Sequence, residues 1–377
     1  MVVSDVVIQI LSKLPPESLL RFKSVCKSWY VLINDPKFVA KHLLDSFSHK
    51  HVLLKRILTN NFGKKELALS ILKFSPDRSV SVMDINLPFQ EINPFFEVCG
   101  HAHGIVCLSD LDNAFLINPM TSQFRKLPPS ILTFRGCSAV ALAIGFGYDA
   151  KSSNFKVVRM VGFWGNSIML MSSPIRVEIY DLSKDKWREI GAPSFDGRAS
   201  WTPSFDMYHE GTFYWWGCGE PRINEAGRIE HIITFDMSEE VFGKISVPKS
   251  YDDKKHKTSL GVLNRSIVLF VYPFESNETN IDIWEMKKDE SSVVSWSKLL
   301  TIVPTFGIEQ PLLFVSCEEL LMESRNGHVI MYNCKTQEFK KLPIEGQLIG
   351  VETNRFEATL YIKSLVSLEG RDMSYDF

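Results

Sequence analysis

The stretch HVIMYNCKTQEFKKLPI (residues 328–344) decides the fold. A β-rich apolar run, Val329 to Tyr332, leads into Asn333, five polar or small residues follow, and Phe339 opens a second run. Asn enters turns well because its side chain accepts from backbone amides just ahead of it. The pattern predicts a β-hairpin. Four other stretches repeat it: AFLINPMTSQFRKLP from Ala114, VEIYDLSKDKWREIGAP from Val177, IITFDMSEEVFGKISVP from Ile232 and IDIWEMKKDESSVVSWSKLLTI from Ile281. Each is a strand, a polar turn entered by Asn, Asp or Glu, and an aromatic near the start of the next strand. Several close on Pro.

The turn-entry residues Asn118, Asp181, Asp236, Glu285 and Asn333 recur at intervals of 63, 55, 49 and 48 residues. The mean, about 54, divides residues 46–377 into roughly six units. Further hairpin pieces lie between the copies, including Asn326-Gly327, a two-residue turn signal. Four short strands per unit is the spacing of a β-propeller blade. A ring also hides strand edges that would otherwise aggregate. The last strand, placed at Thr359–Leu368, is expected to pair back near the first blade. A β-sandwich pair with similar hairpins is the alternative these residues leave open.

The first 45 residues read differently. Val6, Val7, Ile10, Leu11 and Leu14 form a first helix that Ser4 can cap and Pro15-Pro16 stops. Leu19, Phe22, Val25, Cys26, Trp29, Leu32 and Ile33 fall in steps of three and four, which predicts one second helix with an apolar stripe. Asn34-Asp35-Pro36 ends it and caps a third through Phe38, Val39 and Leu43. Three short helices bury too little surface to be secure alone. This zone carries six Lys/Arg against three Asp/Glu over residues 1–44, so an acidic partner surface would suit it. The expected class is therefore mainly β, with a short three-helix unit at 1–45 and a propeller of about six blades at 46–377.

The totals exclude several functions. Net charge is −2, so no nucleic-acid partner is implied. Seven cysteines without a framework favour a reducing compartment. Asp5 and Lys13 interrupt the only N-terminal apolar run, and no stretch is long enough to span a membrane. The cytoplasm is the expected location, with the nucleus open as a second. The triplets at Asn264 and Asn277 read as chance matches to a glycosylation signal.

Several features imitate chemistry. Cys99, His101, His103 and Cys107 lie within CGHAHGIVC, but without metal-site spacing, and alternate strand residues point to opposite faces. No metal and no cofactor is expected. A Cys–His nucleophile pair has no activating motif around it. GFGYD (145–149) lacks the lysine and the helix of a phosphate loop and reads as a strand end and turn. Glu239-Glu240, Asp252-Asp253 and Glu318-Glu319 read as solvated turn faces, and DDKKHK (252–257) as a mixed-charge loop. Alternation along the strand buries one of Trp215 and Trp216 and sends the other outward or into the funnel; core packing is the favoured reading of the pair, and a substrate-face aromatic is the alternative.

VVIQILSKLPPESLLRFKSVCKSWYVLINDPKFVAKHL (6–43) resembles an F-box. The resemblance implies that these helices dock on a Skp-type adaptor, and through it on cullin and RING subunits of a ubiquitin ligase. Matched position by position it implicates Leu14, Pro15, Leu19, Leu20, Val25, Cys26 and Trp29 in adaptor binding, with the tryptophan stripe entering a groove. The Leu-Pro that commonly precedes the first helix is replaced by Met1-Val2-Val3-Ser4. The remaining chain resembles the plant F-box-associated, kelch-like domain. GHAHGIVCLSDLDNAFLINPMTSQFRKLP resembles the first hairpin of that family, and AIGFGYDAKSSNFKVVRM, SWSKLLTIVPTFGIEQPLLF, EELLM and ATLYIKSLVSL are most similar to S-locus F-box and S-locus-like proteins.

The implied function is that of a substrate-recognition subunit of a Skp–cullin–F-box ligase. It would be non-catalytic and would hold a target protein on the propeller face for ubiquitination and degradation. The S-locus likeness implies a pistil ribonuclease as target, in self-incompatibility. Candidate target loops are 60–66, 162–173, 217–228, 250–258 and 274–280. The rivals are a free-standing propeller binding module without ligase attachment and, less favoured, a propeller enzyme.

Overall fold

Pro16 and Pro36 each open a helix, because proline lacks only an amide that the first turn leaves unbonded anyway. The computed structural model describes residues 5–46, 51–59, 65–75, 79–85, 87, 96–110, 112–134, 138–165, 168–169, 175–192, 198–199, 207–218, 230–248, 251, 255–274, 280–288, 293–345 and 356–368. Four helices come first: α1 (Asp5–Leu11), α2 (Pro16–Phe22), α3 (Lys27–Asn34) and α4 (Pro36–Ser46). The expected cap Ser4 lies outside the described residues. The expected second helix is two. The Ser24 hydroxyl turns back onto the Arg21 carbonyl at 2.8 Å, and Cys26 is extended at φ −159°, starting α3 afresh. The stripe survives the break because the rings of Phe22 and Trp29 meet across it, tilted, with centroids 5.4 Å apart. The Asp35 carboxylate accepts from the Lys37 and Phe38 amides, as a cap of α4 should. His42 on α4 bonds the Leu14 carbonyl at 2.9 Å and ties α4 to the turn after α1.

The rest is a ring of six antiparallel blades, each read here from inner to outer strand. Blade I is Glu357–Tyr361, His51–Thr59, Lys65–Phe74 and Val80–Ile85. Blade II is Glu97–Ala102, Ile105–Ser109, Ala114–Asn118 and Gln123–Lys126. Blade III is Ser138–Asp149, Asn154–Gly165, Arg176–Asp181 and Lys186–Ile190, with a short piece at Ile168–Met169. Blade IV has a split inner strand (Arg198–Ala199 and Met207–His209), then Thr212–Cys218, Glu230–Asp236 and Val241–Ser246. Blade V is His256–Leu263, Ser266–Pro273, Ile281–Lys288 and Val294–Ile302. Blade VI is Ile308–Phe314, Glu319–Ser324, His328–Asn333 and Glu338–Glu345. The ring closes as expected, by the last strand pairing with the first. That strand is Glu357–Tyr361, and 362–368 continues without a ladder partner.

The repeated hairpin forms the two outer strands of blades II to VI, and its chemistry is uniform. Asn118, Asp181, Asp236 and Asn333 each accept from a backbone amide three residues ahead, and three of the four also from the amide two ahead. Four residues beyond each stands a left-handed residue: Ser122, Asp185, Glu240 and Gln337. The aromatic recurs because it sits directly across from the residue before the turn, as in Tyr180–Trp187, Phe235–Phe242 and Tyr332–Phe339. Glu285 is the exception. It lies inside a blade V strand opposite Ser297 and enters no turn. Asn326-Gly327 also departs from expectation: the connection 325–327 has three residues, with Gly327 at φ 70°. True two-residue turns with both φ positive join the inner strands at His103-Gly104, Glu210-Gly211 and Asn264-Arg265.

Blades pack on both sides, so both tryptophans are core, as the favoured reading has it, and neither indole is sent outward or into the funnel. Trp215 and Trp216 are 1% and 4% exposed. Trp215 faces blade III, donating its indole N–H to the Ile144 carbonyl, while Trp216 meets Tyr251 and the blade V core. GFGYD is explained by the same packing. A Cβ on Gly145 would stand 2.6 Å from Trp215, and one on Gly147 2.4 Å from Tyr208.

Candidate interaction surfaces

Antiparallel strands send alternate connections to opposite ends of the ring. At one end, the turn face, the connections between first and second and between third and fourth strands are two to five residues long. Those at the other end, the loop face, run from three to sixteen. All five candidate target loops connect strands at the loop face. Most of their residues lie outside the described ones, but the strands that enter and leave them do not.

The N-terminal helices sit at the turn face. His51 starts and Tyr361 ends its strand there, and Lys363, just beyond, pairs with Glu17 of α2. Strands mostly of five to nine residues separate the two faces by roughly 17–30 Å.

The helices divide the candidate residues by exposure. Leu19 is fully buried with Leu11, Ile33, Phe38 and Val39, so it serves the chain's own core. Leu14, Leu20 and Trp29 are half-buried against the same cluster. Pro15, Val25 and Cys26 are exposed. The Ser28 hydroxyl and the Trp29 amide hold the Cys26 thiol below its ordinary range. Sequence reasoning missed Val6, Ile10, Tyr30, Val31 and Leu44, all more than half exposed. Val6 and Ile10 share a helix face at i and i+4, a signal the sequence does carry. Lys13, Arg21, Lys27, Lys37 and Lys41 stand exposed around them, while Glu17 is taken by Lys363.

At the loop face the inner strand starts carry ionisable groups. Glu97 and Glu357 lie together beside Lys55, which pairs with Glu357, and the Val98 amide donates to Glu357 at 2.9 Å. Burial, then the Glu357 charge, pushes the Glu97 carboxyl up to about 8, against the pull of Lys55. Around the rim Lys257 pairs with Glu309 at 2.8 Å and approaches the half-exposed ring of Phe274.

The imitations of chemistry become packing. His103 lies on Tyr148, with ring centroids 4.4 Å apart, and burial pushes the Cys107 thiol up to about 12, which leaves it an inert buried group. Among the described residues no group of three or more His, Cys, Asp or Glu is placed to hold a metal. A cavity of about 480 Å³ between blades VI and I, on the turn face, is lined by Phe74, Val80, Met331 and Phe339 with Glu319, Glu338 and Lys340. No described helix is long and apolar enough to cross a membrane.

Residues 72–368 match the family described as F-box associated beta propeller domain, and residues 3–41 match the F-box domain. The chain belongs to the F-box associated beta propeller family. Its F-box is the four-helix unit on the turn face, and its associated domain is the ring. Similar curated proteins include F-box protein CPR1 of Arabidopsis thaliana, 26% identical over 388 residues, with 96% of this chain and 88% of that protein covered. Another is F-box/WD-40 repeat-containing protein 1 of the same plant, 26% identical over 389 residues, covering 95% and 87%. Among solved structures, oligogalacturonate lyase in complex with manganese gives a TM-score of 0.42 at 10% identity, covering 77% of this chain and 78% of that one. F-box proteins with propeller domains are typically non-catalytic substrate adaptors of ubiquitin ligases, and this F-box protein is accordingly not an enzyme.

Proposed function

We propose that this protein is the substrate-recognition subunit of a Skp–cullin–F-box ubiquitin ligase, which holds a target protein on the loop face for ubiquitination and degradation. One observation carries the proposal: the F-box and the long connections occupy opposite ends of one ring. An adaptor can grip one end while a target is held at the other, and the ligase then works by raising the local concentration of target lysines. Adaptor contact falls to the exposed side chains Pro15, Val25 and Cys26, to the edges of Leu14, Leu20 and Trp29, and to Tyr30 and Val31. Leu19 supports them from beneath.

The finer form of the proposal takes a ribonuclease of the pistil as target, on the likeness to S-locus F-box proteins. The test is co-purification with a plant Skp-type adaptor, wild type beside Val25→Asp and Tyr30→Asp. Both sites are exposed, so folding should be kept while a one-to-one complex is lost. A folded wild type that binds no adaptor would instead favour a free-standing binding module.

A further inference from the structure

The segment that follows the last strand is buried without belonging to any sheet. Ser364 and Val366 are both 0% exposed, although 362–368 has no ladder partner. A buried backbone must bond to something, and here a side chain supplies the bonds. The Asn118 amide nitrogen donates to the carbonyls of Ser364 at 3.2 Å and Val366 at 2.6 Å. The same residue's oxygen still caps its own hairpin turn. Gln123 continues the pattern: its amide nitrogen donates to the Ser367 hydroxyl and its oxygen accepts from the Leu368 amide, at 3.1 and 3.0 Å. Blade II thus reads the C-terminal segment by side chains, in place of a fifth strand.

The other side of the segment faces the helices. Leu365, Val366 and Leu368 share one apolar cluster with Leu11, Leu19 and Ile33 of the F-box. The Lys363 ammonium donates to the Glu17 carboxylate on α2, with both groups partly buried. This segment near the C-terminal end of the chain is therefore layered between the first helices and the ring.

We propose that residues 362–368 are the seat of the F-box, and that Lys363 and Asn118 are positioning residues which set how α2 and α3 are presented to the adaptor. An N-terminal docking module then depends on the C-terminus of its own chain. The same stretch of chain closes the ring and seats the F-box, so a chain that has not closed its propeller does not present its F-box correctly. The adaptor half of this statement rests on the receptor reading above; the seat itself does not.

The test uses the full chain with Lys363→Glu, Glu17→Lys and the two combined. Amide exchange is followed in 16–22 and 362–368, and binding to a plant Skp-type adaptor is titrated in parallel. Lys363→Glu puts two carboxylates together, and exchange in both segments should rise about tenfold while blade V stays at the wild-type rate. Adaptor affinity should fall several-fold, and the charge swap should restore both. Lys363→Met, which adds no repulsion, should move both readouts the same way by less. Unchanged exchange in the single variants, or a swap that fails to rescue, overturns the seat. Raised exchange with unchanged adaptor affinity overturns the positioning role. A wild type that binds no adaptor at all removes the receptor reading, and exchange still decides whether the seat exists.

Discussion

Gly104→Ala tests the packing of the C-terminal segment on blade II. Gly104 stands at φ +82°, and a Cβ there would lie 2.3 Å from the Ser364 Cβ, 2.7 Å from the Ile362 carbonyl oxygen and 3.2 Å from the Ser364 nitrogen. Two of these are backbone atoms of the segment that Asn118 holds. They cannot swing aside as the end of a long side chain would. The left-handed backbone costs alanine about 1 kcal/mol, and displacing a packed segment about 2 kcal/mol more. Gly211 supplies the control. It occupies the same position in the blade IV turn at φ +84°, with nothing within 4 Å of its Cβ. Gly211→Ala carries the backbone term and the same entropy change in the unfolded chain, but no clash. Thermal unfolding should place Gly104→Ala below Gly211→Ala by about 2 kcal/mol, a few degrees in Tm. Exchange at 362–368 should rise in the first variant alone. Equal losses in the two variants would refute the close contact and the layering built on it.

Arg265→Gly should stabilise the chain by about 1 kcal/mol, because Arg265 holds φ 70° in the third two-residue turn and gives up only an exposed pair with Glu210; a lower denaturation midpoint would show that pair to matter more than the backbone. Glu97 sets a pH dependence. Its folded value of about 8 lies above the ordinary 4.5, so the folded state keeps a proton that the unfolded chain loses between them, and stability should fall as pH rises through that window. Glu97→Gln should flatten the slope and gain about 2 kcal/mol at pH 8, after allowance for coupling to Glu357; a denaturation midpoint that tracks wild type from pH 5 to pH 8 would place the group in water.

The outer hairpins were legible because every signal in them is local. Asn118, Asp181, Asp236 and Asn333 bond to amides within three residues, and sequence shows such neighbours directly. Glu285 was misplaced because the longer strand of blade V carries it four residues past Ile281 with its partner across the ladder, and a longer carboxylate side chain in a strand looks like one at a turn. Blade I carries no such hairpin, so the count of six came from spacing alone. In the F-box the stripe was legible but its direction was not. Periodicity says that a face is apolar, and it is silent on whether the chain or a partner covers it; Leu19 and Ile33 are covered by the chain. Nothing local marks 362–368 either, since Asn118 reaches it across 246 residues of sequence.

The opposition of F-box and loop face follows from how the ring is closed. Blade I takes one strand, Glu357–Tyr361, from the C-terminal end and three from the N-terminal side. Strands alternate in direction, so the chain entering at His51 and the chain leaving at Tyr361 both pass through the turn face. A ring closed with two strands from each end, or with no shared blade, would bring both termini out on the loop face. The F-box would then crowd the long connections. An odd division is what sets the helices and the segment beneath them against the short turns, where Gly104 and its neighbours leave room for a layer to pack. The price is that a target on the loops stands roughly a strand length, about 17–30 Å, from the F-box helices. That distance is useful only if it is constant, and the side chains that hold it constant are those that bind 362–368 to Asn118 on one side and Glu17 on the other.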